Sequence, residues 1–138
     1  MNIINTTEAP KPVGPYSQAV KAEGFLFCSG QIAINPETGE FNDKDVSVQT
    51  EQVCKNIGAV LRASGLSFDD VVKTTCFLIN GEDFAPFNSV YAKYFTSSPA
   101  RSCVFVKGLP KNALVEIETV AICRKSEEEV INNAQREK

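Results

Sequence analysis

The sequence predicts an α+β sandwich: one sheet of about six strands with two helices on one of its faces. Three observations carry that class. Several apolar runs alternate with period two or are rich in β-branched residues, two segments carry a helical stripe, and the order is strands, helix, strand, helix, strands. At 138 residues the chain is long enough for one domain with a single core. Residues 1–125 are expected to form that domain and residues 126–138, with Glu127 to Glu129 in succession, a polar tail that is solvated or frayed.

Residues 2–5 read as a short edge strand. The stretch from Ala9 to Tyr16 holds Pro10, Pro12, Gly14 and Pro15, which keep the backbone out of helix and strand. Residues 17–21 and 24–34 read as strands. Ser29, Gly30 and Gln31 lie inside the second, where a glycine marks a bulge or a close backbone approach. Residues 35–39 are a turn. Residues 47–64 form the clearest helix, with Val53, Ile57, Val60 and Leu61 spaced as one buried stripe and Gly65 where a left-handed C-terminal residue is expected. Residues 71–79 are a β-branched strand. A second helix over 83–95 carries Phe84, Phe87, Val90, Tyr91 and Tyr94, a stripe read as core rather than as a platform for stacking bases.

Residues 99–106 and 115–124 alternate with period two and read as an antiparallel pair joined through a connection containing Gly, Pro and Asn. On the first, Arg101, Cys103 and Phe105 share a face; on the second, Glu116 and Glu118 do. A reversal near residues 110–111 sets Cys103 and Phe105 opposite the two glutamates, with Arg101 close by. A guanidinium, a thiol and a carboxylate in one small area can hold a small anion and manage a proton. On the residues alone, though, an Arg facing a Glu across two strands is ordinarily a surface ion pair worth a few tenths to about 1 kcal/mol. The face carrying Glu116, Glu118, Val120 and Ile122 is mixed, and its apolar members need a cover that sheets from other copies in a closed oligomer would supply.

Composition removes several function classes. There is no histidine, so Ser-His-Asp and Cys-His nucleophiles and a His-pair ribonuclease are excluded, and acid–base work falls to Glu, Asp, Tyr, Lys, Cys or water. The five cysteines, Cys28, Cys54, Cys76, Cys103 and Cys123, are an odd, widely spaced set without a C-x-x-C pair, which argues for reduced, mostly buried thiols and against a zinc site. A net charge of −3 gives no field to steer RNA or DNA, so a nucleic-acid partner is not expected. No apolar run approaches the roughly 20 residues of a membrane span, and no signal peptide is evident, so a cytoplasmic location is the default expectation.

Gly14-Pro15-Tyr16-Ser17-Gln18-Ala19, Ser29-Gly30-Gln31-Ile32, Asn35-Pro36-Glu37-Thr38-Gly39, Lys73-Thr74-Thr75, Pro99 to Val104, and Leu109-Pro110-Lys111 followed by Val115-Glu116-Ile117-Glu118 together resemble the RidA (YjgF) family, in order and over nearly the whole chain to about Arg124. The resemblance implies a chorismate-mutase-like fold with a mixed sheet, assembled as a homotrimer around a central β-barrel with sites in the clefts between subunits. It implies hydrolysis of 2-imino and 2-enamino acids to 2-oxo acids and ammonia, with no cofactor or metal. It also brings the family's other label, L-PSP-type endoribonuclease or translation inhibitor. A non-catalytic trimer that binds small carboxylates or shields client proteins is the third alternative.

By position, the resemblance implies that Arg101 grips the substrate carboxylate, that Tyr16, Cys103 and Glu116 share the site, that Ser29, Gly30 and Gln31 form a wall, and that Asn88 lies near the pocket. Two departures stand out: the connection Thr96-Ser97-Ser98 is shorter than in many relatives, and the tail is longer. The residue chemistry agrees with the implied activity. Arginine's planar fork binds a carboxylate through two parallel hydrogen bonds, which lysine cannot do. Glu116 is the candidate to aim and activate water. Tyr16 either bonds substrate or packs on the proline-rich loop. Cys103 is either a thiolate held by Arg101 or, preferably, a small wall residue.

Overall fold

In the computed structural model, which describes residues 1–124 together with 132 and 134–136, the elements follow the predicted order. They are β1 (Asn2–Ile4), β2 (Ala19–Ala22), β3 (Phe25–Gln31), α1 (Val46–Ala63), β4 (Val71–Leu78), α2 (Phe84–Tyr94), β5 (Ala100–Phe105) and β6 (Val115–Ile122). The expected polar tail lies almost wholly outside the described residues. Among the described residues, no helix is long and apolar enough to cross a membrane.

Helix α1 shows why this stretch folds as it does. Asp45 caps its start, its carboxylate accepting from the Val48 N–H at 3.0 Å. At its end Gly65 takes φ 76°, and the N–H groups of Leu66 and Gly65 return to the carbonyls of Leu61 and Arg62 at 2.8 and 3.0 Å, closing off the last turn. Val53, Ile57, Val60 and Leu61 are buried as the stripe requires. Three buried amides on the same helix tie down the loops that border the site. Gln49 accepts from the Leu114 N–H and donates to the Asp43 carbonyl, while Asn56 donates to the Ile34 carbonyl and is itself held by Gln52. Helix α2 is joined to α1 through Glu51, which accepts from Lys93 and from the Tyr94 hydroxyl.

The six strands form one sheet in the order β1-β2-β3-β6-β4-β5, antiparallel throughout except for the parallel β4–β5 pair. The predicted antiparallel pairing of the last two strands therefore does not occur: β4 lies between them. The cause is the helix that separates β4 from β5. A strand–helix–strand connection returns the chain to the same end of the sheet, so β5 joins β4 in parallel as an edge. The last strand then enters the remaining inner slot between β3 and β4, burying Val115, Ile117, Thr119 and Ala121 against the helices.

The core fills the space between both helices and that one face, with Leu26, Ile57, Leu78, Phe87, Val115 and Ile117 at its centre. Among the described residues neither α1 nor α2 covers the opposite face, and Phe25, Phe27, Val104 and Ile122 are exposed there beside Glu116 and Glu118. The predicted strand over 24–34 stops at Gln31, and its pairing with β6 shifts register between Cys28 and Gln31, at the expected glycine.

Candidate functional site

Two clusters of chemistry-bearing side chains are present, and they lie on opposite faces of the sheet. The first is at the β5 edge, against α2. Arg101 is in register with buried Thr74 on β4, so its side chain leaves the sheet on the helix-covered face. There its Nη1 donates to Asn88 Oδ1 at 2.7 Å, and the guanidinium carbon lies 4.8 Å from the centre of the Tyr91 ring and 5.8 and 5.9 Å from those of Phe84 and Phe87. Tyr91 is itself fixed: its hydroxyl shares a 2.7 Å hydrogen bond with Thr74 Oγ1, and its ring stacks on Phe95 at 4.3 Å. A cation over an aromatic face gains about 0.5–1 kcal/mol at an exposed site. The greater effect here is orientation, since ring and amide hold the guanidinium while it stays open to solvent.

Cys103 follows on the same face, half-buried and opposite Cys76. Burial pushes its thiol pKa up and outweighs the opposing pull of Arg101, so the neutral thiol is favoured. A neutral thiol is the form a wall residue would keep, and it is a weaker nucleophile than a thiolate.

The second cluster surrounds Glu116, which is paired with Phe77 and points to the face without helices. Its carboxyl is half-buried. Desolvation, with a smaller contribution from Glu118, raises its pKa above the ordinary carboxylate value. The backbone of Gly30 presses against it: a β-carbon at Gly30 would stand 2.9 Å from Glu116 Cδ, so glycine at the bulge makes the room this side chain occupies.

Around the carboxylate is a pocket of about 180 Å³, lined among others by Tyr16, Gly30, Gln31, Pro110 and Lys111. Tyr16 folds back over its own loop, accepting from the Val13 N–H at 3.3 Å, with half its surface exposed. It therefore packs on the proline-rich loop, as one of its two readings has it, and it also lines the pocket. Gln18 fastens the loop, exchanging hydrogen bonds with the backbone of Thr6 and donating to the carbonyls of Ala9 and Pro10. Ser29 backs the wall rather than lining it, its hydroxyl donating to the Ser17 carbonyl at 2.5 Å.

The predicted residues therefore sort into an arginine group (Arg101, Asn88, Cys103) and a carboxylate group (Glu116, Tyr16, Gly30, Gln31). The single cluster of guanidinium, thiol and carboxylate expected within one chain is not formed. With β4 interposed, the face shared by Arg101 and Cys103 is the one that Glu116 and Glu118 turn away from. The platform role of Tyr91 was not foreseen. Its mark in the sequence is a hydroxyl, shared with Tyr94, on an aromatic stripe, a polar group that needs a partner when buried. Lys111, in the Leu109-Pro110-Lys111 motif, also lines the pocket, with φ 55°, a left-handed backbone uncommon for lysine.

Comparison with known proteins adds to this geometry. The family model described as endoribonuclease L-PSP matches residues 6–123. A RutC family protein of Pyrococcus horikoshii is 54% identical over 120 residues, covering 86% of this chain and 95% of that protein. Reactive Intermediate Deaminase A of Arabidopsis thaliana, chloroplastic, is 50% identical over 120 residues, 86% of this chain and 64% of its own length. Among solved structures, E. coli TdcF with bound serine superposes with a TM-score of 0.86 at 41% identity, over 91% of this chain and 100% of that one. The E. coli YjgF gene product does so with a TM-score of 0.85 at 42% identity, over 90% and 100%.

Proposed function

The chain belongs to the RidA/YjgF family, and on that footing we propose that it hydrolyses 2-imino and 2-enamino acids to 2-oxo acids and ammonia without a cofactor. One observation carries the arrangement we assign to the site. Arg101 and Glu116 leave opposite faces of one sheet, so a substrate touching both must lie where the β5 edge of one copy meets the Glu116 pocket of another. A closed ring of three copies, with the open sheet faces turned inward, would form three such clefts. It would also bury Phe25, Phe27 and Ile122, which are exposed in the single chain.

In that cleft the chemistry is short. The guanidinium of Arg101, levelled by Asn88 and Tyr91, takes the substrate carboxylate through its fork. Glu116 holds a water against the C=N carbon, accepts its proton as the C–O bond forms, and passes that proton to the nitrogen to give the carbinolamine. The carbinolamine then loses ammonia to give the 2-oxo acid. A carboxyl whose pKa is raised from the ordinary glutamate value by burial is a better base near neutral pH than an unperturbed glutamate. The deaminase name of the Arabidopsis relative supports the reaction class, and the serine bound to the E. coli relative supports an amino-acid-like ligand bearing a carboxylate.

The test uses 2-iminopropanoate generated in situ by an amino-acid oxidase. The wild type should accelerate imine decay and Arg101→Ala should not. No acceleration over small and bulky imino acids would remove the proposal. RNA cleavage is assayed beside it, because the family model carries an endoribonuclease description. Cleavage lost in step with deamination in Arg101→Ala would favour a nuclease at the same site.

A further inference from the structure

We propose that the site's side-chain compartment is built for imino acids that carry a second, distal carboxylate. The inference rests on the function proposed above and deepens it. A second pocket of about 330 Å³ adjoins the Glu116 pocket, the two sharing Pro10, Lys11, Val13, Ile34 and Lys111. The outer pocket has apolar walls at Ala9, Val13, Ile34 and Pro36; among the described residues no carboxylate lines it, and Glu116 is the only one in the inner pocket. The cations on the shared wall are Lys11 and Lys111, and no described residue holds either in an ion pair.

Both lysines stand on backbone that is set before any ligand arrives. Lys11 lies between Pro10 and Pro12, in the loop that Gln18 fastens through the carbonyls of Ala9 and Pro10 at 3.3 and 2.9 Å. Lys111 follows Pro110 with φ 55°, and Asn112 follows with φ 58°. Side chains with a β-carbon avoid this region. Here it is held by the hydrogen bonds of Asn112 and Ala113 to the carbonyls of Leu109 and Pro110, at 3.2 and 3.1 Å. A strained turn that sets a lysine on the wall of a pocket points to a ligand for that lysine.

With the α-carboxylate on Arg101 of one copy and the C=N carbon at Glu116 of the next, the substrate's carbon chain would run along Val13 and Ile34 and end between the two ammonium groups. A basic side chain would meet like charge there. A neutral chain would bury the same apolar surface without the ionic contacts.

The experiment compares imines made in situ from glutamate and from norvaline, whose side chains match in length but differ in the terminal carboxylate. Two exposed lysine contacts predict a preference of about threefold to tenfold in kcat/KM for the glutamate-derived imine. The ratio should fall close to one in the Lys11→Ala/Lys111→Ala double variant and below one in Lys111→Glu. A wild-type ratio near one, or a ratio unchanged in the double variant, overturns the proposal. Failure of the underlying reading looks different, since no imine at all would then be hydrolysed faster. In that case calorimetric titration with glutarate and pentanoate decides the compartment by itself. Glutarate binding that the double variant weakens supports it, and equal binding of the two acids overturns it.

Discussion

Glu116 is a carboxylate half out of water, beside a second carboxylate and with no hydrogen bond from the described residues, an arrangement that costs stability wherever it is ionised. Its raised pKa sets two signs. As the proposed base it must be charged, so kcat/KM should fall as pH drops through a value above the ordinary glutamate pKa of about 4.3, and Glu118→Gln should move that acid limb downward. For stability, the folded state holds this proton more tightly than the unfolded chain, so the benefit of protonation is present at low pH and lost as pH rises through the folded value. Glu116→Gln should therefore be inactive yet melt higher than the wild type at pH 7, with the gap closing as the pH is lowered. Melting curves across pH check this, and a variant that melts lower at pH 7 would contradict it. The identities of Arg101 and Glu116 were legible in the sequence because a fork for carboxylates and an acid are chemical types. Their separation was not, because alternation assigns a side chain to a face of its own strand and says nothing of which strand comes next.

Among the elements, α1 was legible nearly to the residue, because a continuous apolar stripe and a terminal glycine agree with one another. The start was missed by one residue, since Asp45 rather than a later position supplies the cap. The β5–β6 pairing was misread because two alternating runs joined by a turn-rich connection look like a hairpin, while the evidence against it lies upstream, in the helix between β4 and β5. The bulge in β3 was foreseen from Gly30, but its purpose emerges only with β6 alongside. Gly30→Ala tests that purpose. Its β-carbon would meet Glu116 Cδ at 2.9 Å, so the carboxylate must move. A shift of about 1 Å at a reacting group is worth up to roughly 10²-fold in rate. A loss of tenfold or more in kcat/KM with a modest change in Tm is expected; full activity would show that Glu116 does not need this position.

At the scale of the whole molecule, Phe25, Phe27, Val104 and Ile122 stand in the open on one face, and Arg101 and Glu116 leave opposite sides of the sheet, which is what the proposed ring of copies would cover and bring together. The mixed pattern of the last strand already called for a cover, whereas the number of copies came from family resemblance alone. Phe27→Asp puts a charge where copies would meet. Light scattering should report a smaller species than the wild type, and deamination should fall with it, while far-ultraviolet circular dichroism remains that of a folded chain. The most direct measurement mixes two inactive variants, Arg101→Ala and Glu116→Gln, after unfolding and joint refolding, and follows the decay of 2-iminopropanoate. If each site takes its arginine from one copy and its glutamate from the next around a closed ring, random assembly leaves about a quarter of the sites with both native residues, and activity should return to about that fraction of wild type. If arginine and glutamate serve one site from the same chain, no combination is intact, and a mixture as inactive as its components would contradict the shared cleft.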